Sequence, residues 1–147
     1  MYKIILLLFL TFVIQSVCFS AKNNYFLMLK NNEVNVRYGP SLDSPIKFIY
    51  KKKFLPVKII DKKENFRKII DHKKNSGWVH HIMLKKSKSF IVLKNKILFR
   101  KPSYFSKPIA KLNIGRLLIL KKCNNEWCKV ETDKFTGWID KKNLWGI

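Results

Sequence analysis

Apolar residues along this chain come in short runs broken by turn-forming residues, with no long stretch at helical spacing after the N-terminal segment. Phe26–Leu29 and Val34–Val36 flank the polar stretch Lys30-Asn31-Asn32-Glu33. A loop rich in turn residues follows, Tyr38-Gly39-Pro40-Ser41-Leu42-Asp43-Ser44-Pro45. Then come the runs Phe54–Ile60, Phe66–Ile70 and Gly77–Val79. Four of the five prolines (Pro40, Pro45, Pro102 and Pro108) fall in that loop and in its later counterpart, so neither loop is a central strand. Short strands with regular turns predict a small all-β barrel. Helix is expected only as a single turn near His80–Leu84 and Asp140–Leu144.

The pattern occurs twice, and the repetition sets the architecture. Val34-Asn35-Val36-Arg37 aligns with Ile97-Leu98-Phe99-Arg100 at an offset of 63, which also places Pro45-Ile46 on Pro108-Ile109. Phe66-Arg67-Lys68-Ile69 aligns with Trp127-Cys128-Lys129-Val130 at 61, and Gly77-Trp78-Val79 with Gly137-Trp138-Ile139 at 60. Leu84 meets Leu144, and Phe26–Asn31 echoes Phe90–Asn95. The offset drifts only through the connections, where length varies most freely. The expected organisation is a segment 1–21, a first barrel over 25–86 and a second over 88–147, with the seam at Lys85-Lys86-Ser87-Lys88.

The N-terminus changes the picture from a cytosolic domain to an exported one. One positive charge at Lys3 precedes an apolar run from Ile4 to Ile14, and small or polar residues (Ser16, Cys18, Ser20, Ala21) follow. This is the anatomy of a secretory signal peptide, cleaved after Ser20 or Ala21. The run falls short of the ~20 apolar residues that span a bilayer, so a retained anchor is the lesser reading. Gln15-Ser16-Val17 before Cys18 lacks the residues of a lipoprotein site.

Charge adds a class of partner. The full chain carries +22, and loss of Lys3 with the signal peptide leaves +21. Polyanions attract such a chain, among them acidic wall polymers and anionic lipid head groups. Nucleic acid is not expected: arginine occurs only four times, lysine is spread along the whole chain, and charge alone carries no base readout.

Taken together, Val34-Asn35-Val36-Arg37-Tyr38-Gly39-Pro40-Ser41, the closing Gly77-Trp78-Val79 and Gly137-Trp138-Ile139, and Cys123–Val130 with terminal Leu144-Trp145-Gly146 resemble the bacterial SH3-like domain. The pair is similar to exported proteins of Gram-negative bacteria that carry two such domains, and the resemblance spans residues 25 to 147. It implies two tandem SH3-like β-barrels in the periplasm or cell envelope. The second copy departs from it, with Ile97-Leu98-Phe99-Arg100-Lys101-Pro102 lacking the Asn and Gly of the opening loop.

Trp78, Trp138, Phe66 and Trp127 are first of all barrel packing, since large rings dominate small cores. Their functional alternative is the wall of a groove. Cys123 and Cys128 bracket Asn124-Asn125-Glu126-Trp127. If those four residues form a hairpin loop, the thiols face each other and in an oxidising compartment form a disulfide. A redox thiol is disfavoured, because the two-residue spacing of a dithiol motif is missing. His80 and His81, adjacent on an extended segment, point to opposite faces and do not readily share an ion. No third metal ligand, carboxylate pair or based nucleophile stands out, so no metal, cofactor or catalysis is expected.

The leading functional expectation is a noncatalytic binding module for peptidoglycan or a periplasmic protein. Its groove would lie in the first copy, between the Tyr38–Pro45 and Lys62–Asn65 loops, with Asn35, Arg37, Tyr38, Phe66 and Trp78 as contacts. Asn35 and Arg37 have a competing role in tying the opening loop to the barrel. The alternatives are an adaptor acting through strand edges and an electrostatic attachment to anionic lipid.

Overall fold

The computed structural model describes residues 25–146, so the signal-peptide reading of 1–21 lies outside the described residues. The first unit comprises β1 (Tyr25–Leu29), β2 (Val34–Arg37), β3 (Ile46–Tyr50), β4 (Pro56–Lys63), β5 (Phe66–Ile70), β6 (Ser76–His80) and β7 (Leu84–Lys86). The second comprises β8 (Ser89–Val92), β9 (Lys96–Phe99), β10 (Pro108–Leu112), β11 (Leu117–Cys123), β12 (Trp127–Thr132), β13 (Phe135–Asp140) and β14 (Leu144–Trp145). Each forms one seven-stranded sheet, in the orders β3-β2-β6-β5-β4-β1-β7 and β10-β9-β13-β12-β11-β8-β14. The two orders correspond strand for strand, and the chain is two tandem SH3-like β-barrels.

The register corrects the internal alignment. Arg37 pairs with Ile46 and Trp78, whereas Phe99 pairs with Pro108 and Trp138. Tyr38 N–H donates to the Pro45 carbonyl, and Arg100 N–H to that of Lys107. The opening strands therefore superpose at an offset of 62, not 63: Phe99 stands where Arg37 stands, and Ile97 where Asn35 stands. Leu29 pairs with Leu84 and Val92 with Leu144, so the leading strands superpose at 63 rather than 64. Side chains alternate along a strand, and a slip of one residue reverses every face. Arg37 and Arg100 thus do not occupy the same site.

Three further features depart from expectation. β3 and β10 at the sheet edges emerge from stretches the pattern leaves as connection; the burial of β3 is mostly exposed, so no alternation marks it. β4 begins at Pro56 rather than Phe54, with proline at the first position of the strand, where no ladder bond from its nitrogen is needed. A 3-10 turn covers His81–Met83, while residues 141–143 of the second unit form only a turn.

The glycine before each tryptophan makes room for a neighbouring strand. A Cβ at Gly77 would lie 2.9 Å from the Arg37 carbonyl oxygen, and one at Gly137 would lie 2.7 Å from that of Phe99. Any side chain would push β6 from β2, or β13 from β9.

The first core gathers Leu29, Val34, Val36, Val57, Ile69 and Val79, and the second Val92, Leu98, Leu118, Cys128, Val130 and Ile139. The cores touch. Ile91 of β8 is buried within the first, with Leu117 and Trp145 packed against it. Ser89 Oγ donates to the Phe54 carbonyl at 2.6 Å, and Trp145 Nε1 donates to that of Pro56 at 3.0 Å.

Candidate functional site

On the outer face of the first barrel, Arg37, Trp78 and Lys68 stand abreast on β2, β6 and β5. Asn35 shares that face two residues earlier and is exposed. Arg37 is committed to the opening loop: its Nη1 donates to the Ser44 carbonyl at 2.7 Å. Within the loop, Ser44 N–H donates to the Ser41 carbonyl and Asp43 N–H to Ser41 Oγ. Tyr38 projects from the loop's start, 66% exposed, with Lys47 Nζ 5.6 Å from its ring centre. Phe66 is different. It is 6% exposed, and His80 on the next strand meets it edge-on at 5.1 Å. The structure brings Arg37 and Trp78 together, while Phe66 on the same face is buried with His80 edge-on to it and offers no exposed ring.

The corresponding face of the second barrel is aromatic. Phe99 takes the place of Arg37 and lies beside Trp138, with Lys129 beyond. Trp127, the counterpart of Phe66, meets Phe99 at 5.8 Å and Tyr104 at 4.8 Å, and Tyr104 meets Phe99 at 6.0 Å. The two contacts of Phe99 are edge-to-face and that of Tyr104 with Trp127 is tilted, arrangements favourable beyond simple burial. Tyr104 is 61% exposed and the ring of Phe105 is wholly exposed. The loop carrying them is held without an arginine: Lys101 N–H donates to Ser106 Oγ at 2.9 Å and Phe105 N–H to Ser103 Oγ at 3.2 Å. Aligning Arg100 with Arg37 hides this cluster in the sequence.

His80 and Asp140 are equivalents, and both cap the turn that follows. His80 Nδ1 accepts from Ile82 N–H at 3.5 Å, and Asp140 Oδ1 accepts from Lys142 N–H at 3.0 Å. The turn brings the rings of His80 and His81 to 5.0 Å, nearer than an extended strand allows. Among the described residues no three His, Cys, Asp or Glu side chains cluster to hold a metal ion.

The strongest electrostatic arrangement is structural. Asp71, 2% exposed, accepts from Tyr50 Oη at 2.8 Å, from Lys73 and Asn75 N–H, and from Asn75 Nδ2. Burial pushes its carboxyl up, but the bonds from Asn75, Tyr50 and the Lys73 backbone together outweigh it and hold it below the ordinary carboxylate value. The same burial and the carboxylate raise the Tyr50 phenol well above its ordinary value. Burial also lowers His72, and the nearby lysines Lys73 and Lys52 oppose the Asp71 charge there.

Cys123 and Cys128 face each other in the register of β11 and β12 and are joined by a disulfide. The hairpin loop between them closes with Asn124 N–H donating to the Trp127 carbonyl and Trp127 N–H to Asn124 Oδ1, each at 2.9 Å.

No curated protein matches the chain. Among solved structures, NlpC2 from Trichomonas vaginalis is 13% identical with a TM-score of 0.40, covering 86% of this chain and 49% of that one. NlpC1 from the same organism is 12% identical at 0.40, covering 85% and 46%. An NlpC/P60 family protein from Bacillus cereus is 13% identical at 0.38, covering 82% and 55%. The chain thus spans about half the length of these structures. The bacterial SH3 domain family matches residues 30–86 and again 94–146. The chain therefore belongs to the bacterial SH3 domain family, as a tandem pair.

Proposed function

We propose that this protein is an exported, noncatalytic binding module of the cell envelope whose ligand is peptidoglycan, engaged through the aromatic face of the second barrel. The observation that carries the reading is the contact of Tyr104 and Trp127, ring centres 4.8 Å apart, beside the fully exposed Phe105. Exposed aromatic groups held by a rigid scaffold mark interaction sites more often than stability devices. The first barrel offers a thinner face, Tyr38, Asn35 and Trp78, because Arg37 is engaged with its own loop and Phe66 is covered. That shifts the emphasis from the first copy to the second. A lysine-rich surface favours acidic wall material at long range without choosing it.

Retention on isolated sacculi tests the reading. Wild-type protein should be retained above a charge-matched control at moderate salt. The pair Tyr104→Ala and Trp127→Ala should abolish the excess, while Tyr38→Ala should reduce it little. Equal retention of control and wild type would end the proposal. A single protein adduct on crosslinking in periplasmic extract, without retention on sacculi, would replace peptidoglycan with a protein partner.

A further inference from the structure

A cleft of about 520 Å³ opens between the barrels, walled by Lys52 and Phe54 from the first and by Asn113, Gly115, Arg116 and Thr132 from the second. It exists because one corner of the repeat is built differently in the two copies. Phe54 N–H donates to Leu29 O and Gly115 N–H to Val92 O, so the two residues are equivalents, and both have positive φ (65° and 82°). The first barrel fills this corner with a phenyl ring. The second leaves it bare, and a Cβ built on Gly115 would meet nothing within 4 Å.

The wall carries an unmatched polar group. Thr132 is 6% exposed, yet its Oγ1 has no hydrogen-bond partner. Its counterpart in the first barrel is Asp71, whose carboxylate is occupied by the longer turn that follows it and by the Tyr50 hydroxyl. In the second barrel β12 turns directly into β13, with Thr132 paired to Phe135, and nothing reaches the hydroxyl. A buried hydroxyl without a partner keeps the full cost of leaving water, which a ligand's polar group recovers.

The charge of the cleft favours an anion. Its two lining carboxylates are already held, Asp133 by Arg116 at 2.6 Å and Glu131 by Lys121. Lys52 lies on the opposite wall, and Lys53 and Lys85 sit over the Phe54 ring at 5.2 and 4.6 Å. The lining itself is balanced, Lys52 and Arg116 against Glu131 and Asp133, and the adjoining Lys53, Lys85 and Lys121 tip the surroundings of this amphipathic hollow, with its ring, amide and free hydroxyl, toward positive charge. The volume is that of a small-molecule site.

We propose that this cleft is a second binding site, distinct from the aromatic face, for a hydroxylated ligand of one or two sugar rings bearing a carboxylate or phosphate. Lys52 receives the acidic group, Thr132 Oγ1 and the Asn113 amide receive hydroxyls, and Phe54 covers an apolar ring face. The proposal does not depend on sacculus binding.

Amide NMR of the full chain tests it, titrating glucuronic acid, glucose 1-phosphate and glucose. Saturable shifts at Asn113, Gly115, Arg116 and Thr132 are expected with at least one acid, and binding of neutral glucose should be about tenfold weaker or less. Which acid binds separates carboxylate from phosphate. Lys52→Gln and the isosteric Thr132→Val should each weaken binding by about tenfold while keeping a dispersed spectrum. Tyr104→Ala with Trp127→Ala should leave it unchanged. The proposal falls if neither acid shifts these amides, if shifts spread over all lysines without saturating, if glucose binds equally well, or if both cleft variants bind as wild type.

Discussion

The indole N–H of Trp145, on the last strand of the second barrel, donates to the carbonyl of Pro56, on β4 of the first, at 3.0 Å. The same indole meets Phe26 edge-on at 5.1 Å. Ile91 and Ser89, which open the second barrel, are likewise spent on the first. A unit of this size buries only ~60% of its unfolded surface and is marginal alone. Each barrel lends residues to its neighbour, so the pair is the stable unit.

Trp145→Ala should therefore destabilise both barrels, by about 3–5 kcal/mol for an aromatic removed from a packed site. Trp145→Phe keeps most of the packing and loses the bond to Pro56, costing about 1 kcal/mol. Urea unfolding read by amide signals from each barrel should give one shared transition that moves as a whole. A variant that shifts only the second barrel's signals would show that the barrels are energetically separate.

The disulfide predicts an asymmetry between its two cysteines. Closing a six-residue loop contributes about 2 kcal/mol in the chain-entropy account, so either Cys→Ser variant loses that much. Cys128, however, is fully buried in the second core, whereas Cys123 is exposed. Cys128→Ser adds a buried hydroxyl, with a further cost of about 1–3 kcal/mol. Thermal melts should rank wild type above Cys123→Ser above Cys128→Ser. Equal melting of the two variants would contradict the burial argument.

The barrels and the disulfide hairpin were legible because turn chemistry, prolines and the Gly-Trp pairs are local signals. The site was less so. Whether position 37 corresponds to 99 or to 100 depends on where the loops absorb a residue, and only strand pairing decides it. That one-residue difference exchanges Arg37's counterpart from Arg100 to Phe99 and reveals the ring cluster with Tyr104 and Trp127. The inter-barrel contacts of Ser89 and Trp145 join residues 35 and 89 positions apart, beyond any spacing rule.

Acid should weaken the first barrel through Asp71. Its folded carboxyl titrates below the ordinary 3.8, so the stability it contributes is present above that value and is lost as pH falls through the lower, folded one. Asp71→Asn removes this share of the acid limb and frees the Tyr50 hydroxyl from its carboxylate. Urea midpoints followed from neutral pH down to about pH 2 should fall less steeply for Asp71→Asn than for wild type, from a lower starting point. Parallel curves would mean that other carboxylates set the acid limit.

The corrected register also predicts a transplant. Lys96 stands where the first barrel has Val34, and Asp140 where it has His80, and the two form an ion pair at 2.6 Å with side chains only 8% and 17% exposed. Removing one partner of a buried pair leaves an uncompensated charge, so Asp140→Ala should cost about 3–5 kcal/mol. Lys96→Val should cost less, since Asp140 still accepts from Lys142 N–H and lies nearer the surface. The double variant Lys96→Val with Asp140→His rebuilds the first barrel's solution, an apolar strand start and a capping histidine. It should recover to within about 1.5 kcal/mol of wild type, as a hydrophobic replacement of a buried pair does elsewhere. Equilibrium unfolding of the three variants decides the matter: a double variant as unstable as Asp140→Ala would mean that the first barrel's solution does not transfer to this position of the second.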